Sequence, residues 1–579
     1  MHIPAGSYWR LLRSYLRPMW LSVAFLALLL GGNIGLQLYN PTVLKQFIDS
    51  AAAGAPPGRL IGLGLAFLAS ALAVQAVSLL ATYVSQNVGW RATNQLRLDL
   101  TRHVLDLDLA FHTSRSPGEL IERIDGDATL LANFFSQFVI RVVGNLLLMA
   151  GMLVALFLLD WRAGAAITCF AVLNLLGLLW TRGAAKDGWL ASRQTSAEYF
   201  GFLGERLTGT EDIRANGAEP YVLRGFYQML RRRLGAELKA GRGMAITLVV
   251  SFGLIALGMS TAFAISAYLV SVGAISLGSA YMVFAYTEQL RRPVEQVIAQ
   301  IQDLSRAEAG IGRIEELLRI QPAAADGDRP LPVGPLAVHM ASVSFGYTAE
   351  KRVLQDFSLS LEPGQVLGVL GRTGSGKSTV ARLLARLYHP DKGSVLLGGV
   401  PLHRVRSDHL RARVAVVTQD VQLFQGTVRE NLTLFDRGIS DARIWQALDQ
   451  LGLRDWAESL PAGLNTELAG GGGLSGGEAQ LLAFARAFLK DPGLVILDEA
   501  SARLDPATER RLERAVDQLL QGRTAILIAH RLTTIERADR ILIVEDGCVV
   551  EQGVRSELAA APNSRFHRLM QLGAAEESA

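Results

Sequence analysis

Cysteine is nearly missing from this chain. Of 579 residues only Cys169 and Cys548 are cysteine, and they lie in different halves. That excludes a disulfide framework or a metal cluster built on them. Cys169 sits in an apolar run and reads as a packing residue. Charge is scarce too: charged residues make up 19% against 50% hydrophobic, and the mean hydropathy is +0.26. This is too apolar for an ordinary soluble enzyme and implies membrane spans. Neither sign of charge is in large surplus. The net +4 gives no reason to expect nucleic acid as a partner.

The apolar surplus is uneven. Long apolar runs lie before about Ile301, and after Pro330 the composition is that of a soluble α/β domain. Residues 1–19 carry Arg10, Arg13 and Arg17 on an amphipathic stretch, like the start of a signal peptide. No small-residue cleavage site closes the run that follows, Trp20 to about Tyr39. The pattern predicts an interfacial helix and then a first span. Five more spans are expected near Leu60–Tyr83, Phe138–Leu159, Ala163–Thr181, Met244–Val270 and Ile275–Val297. Each is close to the ~20 residues a bilayer core needs. The sixth is the least clean, because Glu288 and Arg291 lie in or near it.

The connections are unequal. Asp160-Trp161-Arg162 alone joins the third and fourth spans, and Ser271 to Ala274 the fifth and sixth. The second-to-third and fourth-to-fifth connections are long and rich in arginine, Arg91, Arg97, Arg102, Arg231, Arg232 and Arg233 among them. Positive charge favours the cytoplasm. The N-terminus, both long connections and the C-terminal half are therefore expected there, with the short turns and the Lys45–Arg59 loop outside. The long connections keep helical apolar spacing, broken at Ser116-Pro117-Gly118. They read as membrane helices running on beyond the bilayer. The spans hold no Asp/Glu/His relay, so a proton-driven transporter is not supported. Asn33, Gln37, Gln75, Asn145 and Asn174 read as glue between helices, with a few lining a cavity. Glu288 is open between substrate contact and snorkelling or pairing with Arg291 or Arg292.

Ile320 to Pro335 is rich in proline and alanine and reads as a linker. Beyond it, the apolar run Gln365–Leu370 leads into Gly371-Arg372-Thr373-Gly374-Ser375-Gly376-Lys377-Ser378, and Thr379 to Leu387 reads as a helix. Strand, glycine-rich turn, Lys-Ser and helix make the P-loop pattern. Glycines let the backbone wrap a phosphate chain, and successive N–H groups at a helix start hold the anion. Lys377 is expected to reach the β- and γ-phosphates, and Ser378 to bind Mg²⁺. Downstream, Leu494-Val495-Ile496-Leu497-Asp498-Glu499 reads as a buried strand ending in two carboxylates, a Walker B pattern. Asp498 would hold Mg²⁺, and Glu499 would act as general base on the attacking water.

The order of these motifs resembles that of ABC exporters. Phe111-His112 with Ser116 to Asp127, and Glu205 to Glu219, look like that family's two intracellular loops. The coupling helices the resemblance implies are expected near Asp125–Leu131 and Arg214–Arg224. Tyr347 matches the adenine-stacking A-loop, Gln419 the Q-loop that meets Mg²⁺ and water, and His530 the switch histidine. Leu474-Ser475-Gly476-Gly477-Glu478 is similar to the LSGGQ signature, with Glu replacing Gln. In that family Ser475, Gly476, Gly477 and Glu478 would act on ATP bound to the partner. Asp505 fits the D-loop, although Ala502-Arg503-Leu504-Asp505 keeps only Leu and Asp in register. Before the signature, Ala469 stands where an acidic residue is usual, followed by Gly470 to Gly473. The glycines should make that loop unusually mobile, so cross-talk between motor and membrane is expected to be weaker or differently wired.

The resemblance implies a six-helix transmembrane domain (1–319), a linker (320–335) and an α/β P-loop NTPase domain (336–579). It implies a half-transporter that uses ATP and Mg²⁺ to export or flip a substrate. Its partner would be a second half, identical or related, in a bilayer, most simply a bacterial inner membrane. Apolar spans favour a hydrophobic or amphipathic substrate. No peptidase-like segment precedes the spans, so peptide processing is not indicated. Two other readings stay open: an ATP-gated regulatory protein or pore, and a mainly structural half with little catalysis of its own.

Overall fold

A computed structural model describes residues 13–321, 326–348, 351–418, 421–468, 474–498, 506–528 and 532–577. They form two compact units. One runs to Leu105 and resumes over Pro117–Ile320; the other joins Asp106–Ser116 to the chain after Gln321.

The first unit is all helix. Its long members are Trp20–Ala52, Pro57–Asp106, Asn145–Leu159, Trp161–Thr208, Glu219–Ser271 and Leu277–Arg319. Helices satisfy every backbone group internally, which a bilayer demands. Their outward side chains are apolar: Leu79, Leu158 and Val249 are each more than 70% exposed, as lipid-facing residues are. Five helical stretches are long and apolar enough to cross a membrane among the described residues. The sixth expected span lies in Leu277–Arg319, which does not meet that measure. Glu288, Arg291 and Arg292 interrupt its apolar run. Pro57–Asp106 has 50 residues, about 75 Å at 1.5 Å per residue, so it far outruns a ~30 Å hydrocarbon core.

Polar side chains tie these extensions together. Asp127 is fully buried and takes both arms of the Arg313 guanidinium, with Nε 2.9 Å from Oδ2. Arg97 donates to Asp125 at 2.8 Å and to Thr129 at 2.7 Å. The first expected coupling helix therefore needs correction. Asp125–Leu131 enters the Asp127–Phe138 helix, and Asp127, Ala128 and Leu131 are buried. The short helix of this stretch that lies apart from the first unit is Leu109–Ser114. It belongs to the second unit, where Leu109 packs on a hydrophobic core. The second short helix is Thr210–Ala215, and the expected Arg214–Arg224 falls mostly in Glu219–Ser271.

The second unit is built on a six-stranded sheet. Its spatial order is Cys548–Val554, Arg540–Glu545, Val366–Leu370, Thr524–Ile528, Leu494–Asp498 and Val414–Val417. All neighbours are parallel except the first pair. The four central strands are nearly continuous apolar runs because both faces are covered. Alternate residues serve opposite cores: Leu367, Val369, Ile496 and Ile526 one, Val366, Leu370, Val495 and Leu527 the other. A four-stranded antiparallel sheet, Lys351–Leu361, Val338–Thr348, Lys392–Leu397 and Val400–Pro401, adds to the first core.

Candidate functional site

Parallel strands bring their C-terminal ends to one edge, where α/β sheets bind ligands. Ile528 pairs with both Val369 and Asp498. The ends of three strands thus meet, and the P-loop leaves the first of them. Gly371 needs its missing Cβ: at φ +152° an added carbon would stand 2.2 Å from the Val544 carbonyl oxygen. Gly376, at φ +105°, is the N-cap of Lys377–Leu384. That helix is shorter than the expected Thr379–Leu387 at its C-terminus and includes Lys377 and Ser378 at its start.

Lys377 is 5% exposed, and its Nζ donates to the carbonyls of Gly371 at 2.7 Å and Arg372 at 2.9 Å. The ammonium is therefore curled back over the turn, within reach of whatever the turn encloses. Ser375 Oγ is buried beside it with no hydrogen bond. A tight glycine cradle, a buried lysine and an orphaned hydroxyl fit a phosphate chain. Ser378 is half-buried at the helix start and Asp498 half-buried at the end of its strand. A hydroxyl and a carboxylate are hard oxygen donors, the set Mg²⁺ prefers.

Tyr347 closes the other side. Its ring meets Phe345 and Tyr388 edge-on, both at 5.1 Å. Its hydroxyl lies 3.0 Å from Thr379 Oγ1, and Arg382 Nη1 donates to it at 2.9 Å. The aromatic wall is thus bonded to the P-loop helix. Arg382, which the sequence reading passed over, supplies that bond and sits 5.7 Å over the ring.

The signature opens the helix Gly476–Lys490. Ser475 Oγ accepts from Glu478 N, and Glu478 Oε2 accepts from Ser475 N at 2.7 Å, a closed capping box. Trp456 Nε1 donates to the other carboxylate oxygen at 2.9 Å. Glu478 is thus a cap held on both oxygens. The Ser-x-x-Glu spacing could have revealed it; Trp456 left no local signal. Farther along, Arg486 donates to the carbonyls of Asn431 at 2.7 Å and Gln422 at 3.0 Å. It anchors the segment that follows the Q-loop. Gln419, Glu499, Asp505, His530 and the loop Ala469–Gly473 lie outside the described residues.

The P-loop helix and the signature helix are on opposite faces of the sheet. Val380, Leu383 and Leu384 pack in one core, and Leu481, Leu482 and Phe484 in the other.

Two family models match the chain. Residues 21–294 match one described as an ABC transporter transmembrane region, and residues 354–502 one described as ABC transporter. A "Multidrug resistance ABC transporter ATP-binding and permease protein" of Lactococcus lactis subsp. cremoris (strain MG1363) is 30% identical over 547 residues. That alignment covers 92% of this chain and 90% of the relative. An "ATP-dependent lipid A-core flippase" of Pseudomonas fluorescens (strain Pf0-1) is 31% identical over 595 residues, covering 98% and 96%. A solved structure of a bacterial Atm1-family ABC exporter with ATP bound matches with a TM-score of 0.78 at 26% identity, covering 97% of this chain and 99% of that one.

Proposed function

We propose, for a chain that belongs to the ABC transporter family, that the ATP it hydrolyses in exporting its substrate is held between two P-loop domains. The protein is an ATP-driven exporter of a bacterial membrane, and this chain is one half of it. The observation that carries the shared site is the sheet that separates the P-loop helix from the signature helix of the same chain. A phosphate chain in one chain's cradle then needs the Ser475 turn of a second chain to close over it.

Within that site the residues divide the work. Gly371 to Thr379 enclose the phosphates, Lys377 neutralises their charge, and Tyr347 faces the adenine. Ser378, Gln419 and Asp498 would hold Mg²⁺, which would supply charge neutralisation at the phosphates. Glu499 takes a proton from water, His530 orients that water, and Asp505 carries the state of one site to the other. The partner is a second copy or a related half, and the substrate is hydrophobic or amphipathic, moved out of the cytoplasm across the inner membrane. The P-loop domain and the N-terminus are cytoplasmic. The domain limits are 1–319 for the spans and 336–579 for the motor, with the linker between.

The test is the full-length chain in proteoliposomes. Glu499→Gln should keep ATP binding while hydrolysis falls about a hundredfold or more. Unchanged hydrolysis would remove Glu499 as the base. Current through the unmodified protein without ATP-dependent accumulation of any solute or lipid would make it a gated pore instead.

A further inference from the structure

The motor chemistry leaves one feature unused, a cavity of about 660 Å³ among the membrane helices Trp20–Ala52, Pro57–Asp106, Asn145–Leu159 and Leu277–Arg319. Small-molecule pockets are mostly apolar, and so are spans. This wall is neither. It presents the amides of Asn33, Gln37, Gln75, Gln86, Asn145 and Gln296. It also presents two opposite charges, Glu288 and Arg292, both exposed. Ionisable groups within spans are costly and line pathways.

Two backbone carbonyls on the wall also lack their usual donors. Pro41 and Pro293 stand inside their helices and have no N–H. The carbonyls of Gln37 and Gln289, four residues earlier, thereby lose their helical donor. Both residues line the cavity. The carboxylate of Glu288 adds to them, and it also borders a smaller cavity of about 300 Å³ with Asn174 and Thr287. The neighbouring ion pair, Arg291 with Glu295 at 3.2 Å, uses neither Glu288 nor Arg292. Those two stand one helical turn apart, about 6 Å of rise.

We infer that this cavity binds a zwitterion carrying a primary ammonium, with the ammonium at Glu288 and the anionic group at Arg292. An ammonium has three N–H donors and no acceptor, which suits a carboxylate that shares its wall with carbonyls lacking their helical donors. Arg292 suits an anionic oxygen group such as a phosphodiester. Asn145 Nδ2 donates to Gln296 Oε1 at 2.7 Å, and the other amides can serve the remaining hydroxyl or ester oxygens. This deepens the exporter reading and rests on it: the apolar spans point to an amphipathic substrate, and the wall specifies its polar end. A phosphoethanolamine head carries this chemistry, whether on a bilayer lipid or as a free solute.

The experiment measures ATP hydrolysis by the full-length chain in phosphatidylglycerol liposomes. Phosphatidylethanolamine, phosphatidylcholine or a neutral diglucosyl lipid is added to the bilayer, or soluble glycerophosphoethanolamine to the buffer. The ethanolamine compounds should raise hydrolysis several-fold. Phosphatidylcholine should not, because its nitrogen has no N–H. Glu288→Gln and Arg292→Gln should each raise the half-stimulating concentration by about tenfold, the size of one charge-assisted hydrogen bond. Each response is read against the variant's own rate without additive. Gln75→Leu, on another helix, should weaken the response in the same direction. Stimulation by the bilayer lipid alone assigns a lipid; stimulation by the soluble compound assigns a free zwitterion. Equal stimulation by phosphatidylcholine or the diglucosyl lipid overturns the proposal. So does an unshifted response in both charge variants, or no response to either ethanolamine compound while hydrolysis without additive is intact. Absence of hydrolysis in the unmodified chain counts against the exporter reading instead.

Discussion

Two glycine-rich helix starts lie on opposite faces of one sheet, and they treat their N–H groups differently. At the P-loop the N-cap is Gly376, which has no side chain to bond the helix start. Lys377 rests on carbonyls of its own turn. That start is shaped for an anion from outside the chain. At the signature, Ser475 and Glu478 cap each other and Trp456 holds the second carboxylate oxygen. That start is already capped by its own carboxylate. It can offer a phosphate only the serine hydroxyl and the glycine N–H groups. On the proposed reading, the first binds the phosphates and the second completes the site.

Removing the binder should have the largest effect. Lys377→Ala should abolish measurable nucleotide binding at working concentrations and lower hydrolysis by about a hundredfold or more, read by equilibrium binding and phosphate release. Ser475→Ala should leave binding within about twofold and still cost about a hundredfold in hydrolysis. Equal loss of binding in both variants would erase the distinction. Glu478→Ala should destabilise the motor by about 1 kcal/mol through loss of the cap, read by thermal unfolding. Glu478→Gln should keep the cap and the activity, because Gln also closes a capping box. The smallest effect is Trp456→Phe, about 1 kcal/mol or less for one hydrogen bond, with hydrolysis nearly unchanged.

The geometry of the P-loop was legible in the sequence because everything it needs is local. A strand, a turn and a helix start fall within consecutive residues, and Gly371 and Gly376 are where close approach and positive φ demand them. The alternation of Val366 to Leu370 between two cores follows from parallel strands buried on both faces. The completer was half legible. Ser475 and Glu478 are three residues apart, whereas Trp456 reaches Glu478 across 22 residues. The short helix Leu109–Ser114 was missed for a similar reason. Leu109 is one apolar residue among many until a core far along the chain receives it. The cavity shows the same limit. Asn33, Gln37 and Gln75 read singly as helix glue, and packing gathers them with Glu288 on one wall.

The central claim is that each ATP is closed by two chains. Two differently tagged versions, one Lys377→Ala and one Ser475→Ala, are co-expressed, and complexes carrying both tags are purified. Such a dimer keeps one site with an intact P-loop and an intact signature. The account predicts that its ATP hydrolysis clearly exceeds that of either single variant alone. Pairing a Lys377→Ala/Ser475→Ala double variant with the unmodified chain should give no such recovery, because both sites are then damaged. Equal activity of the two pairings would contradict a site shared between chains.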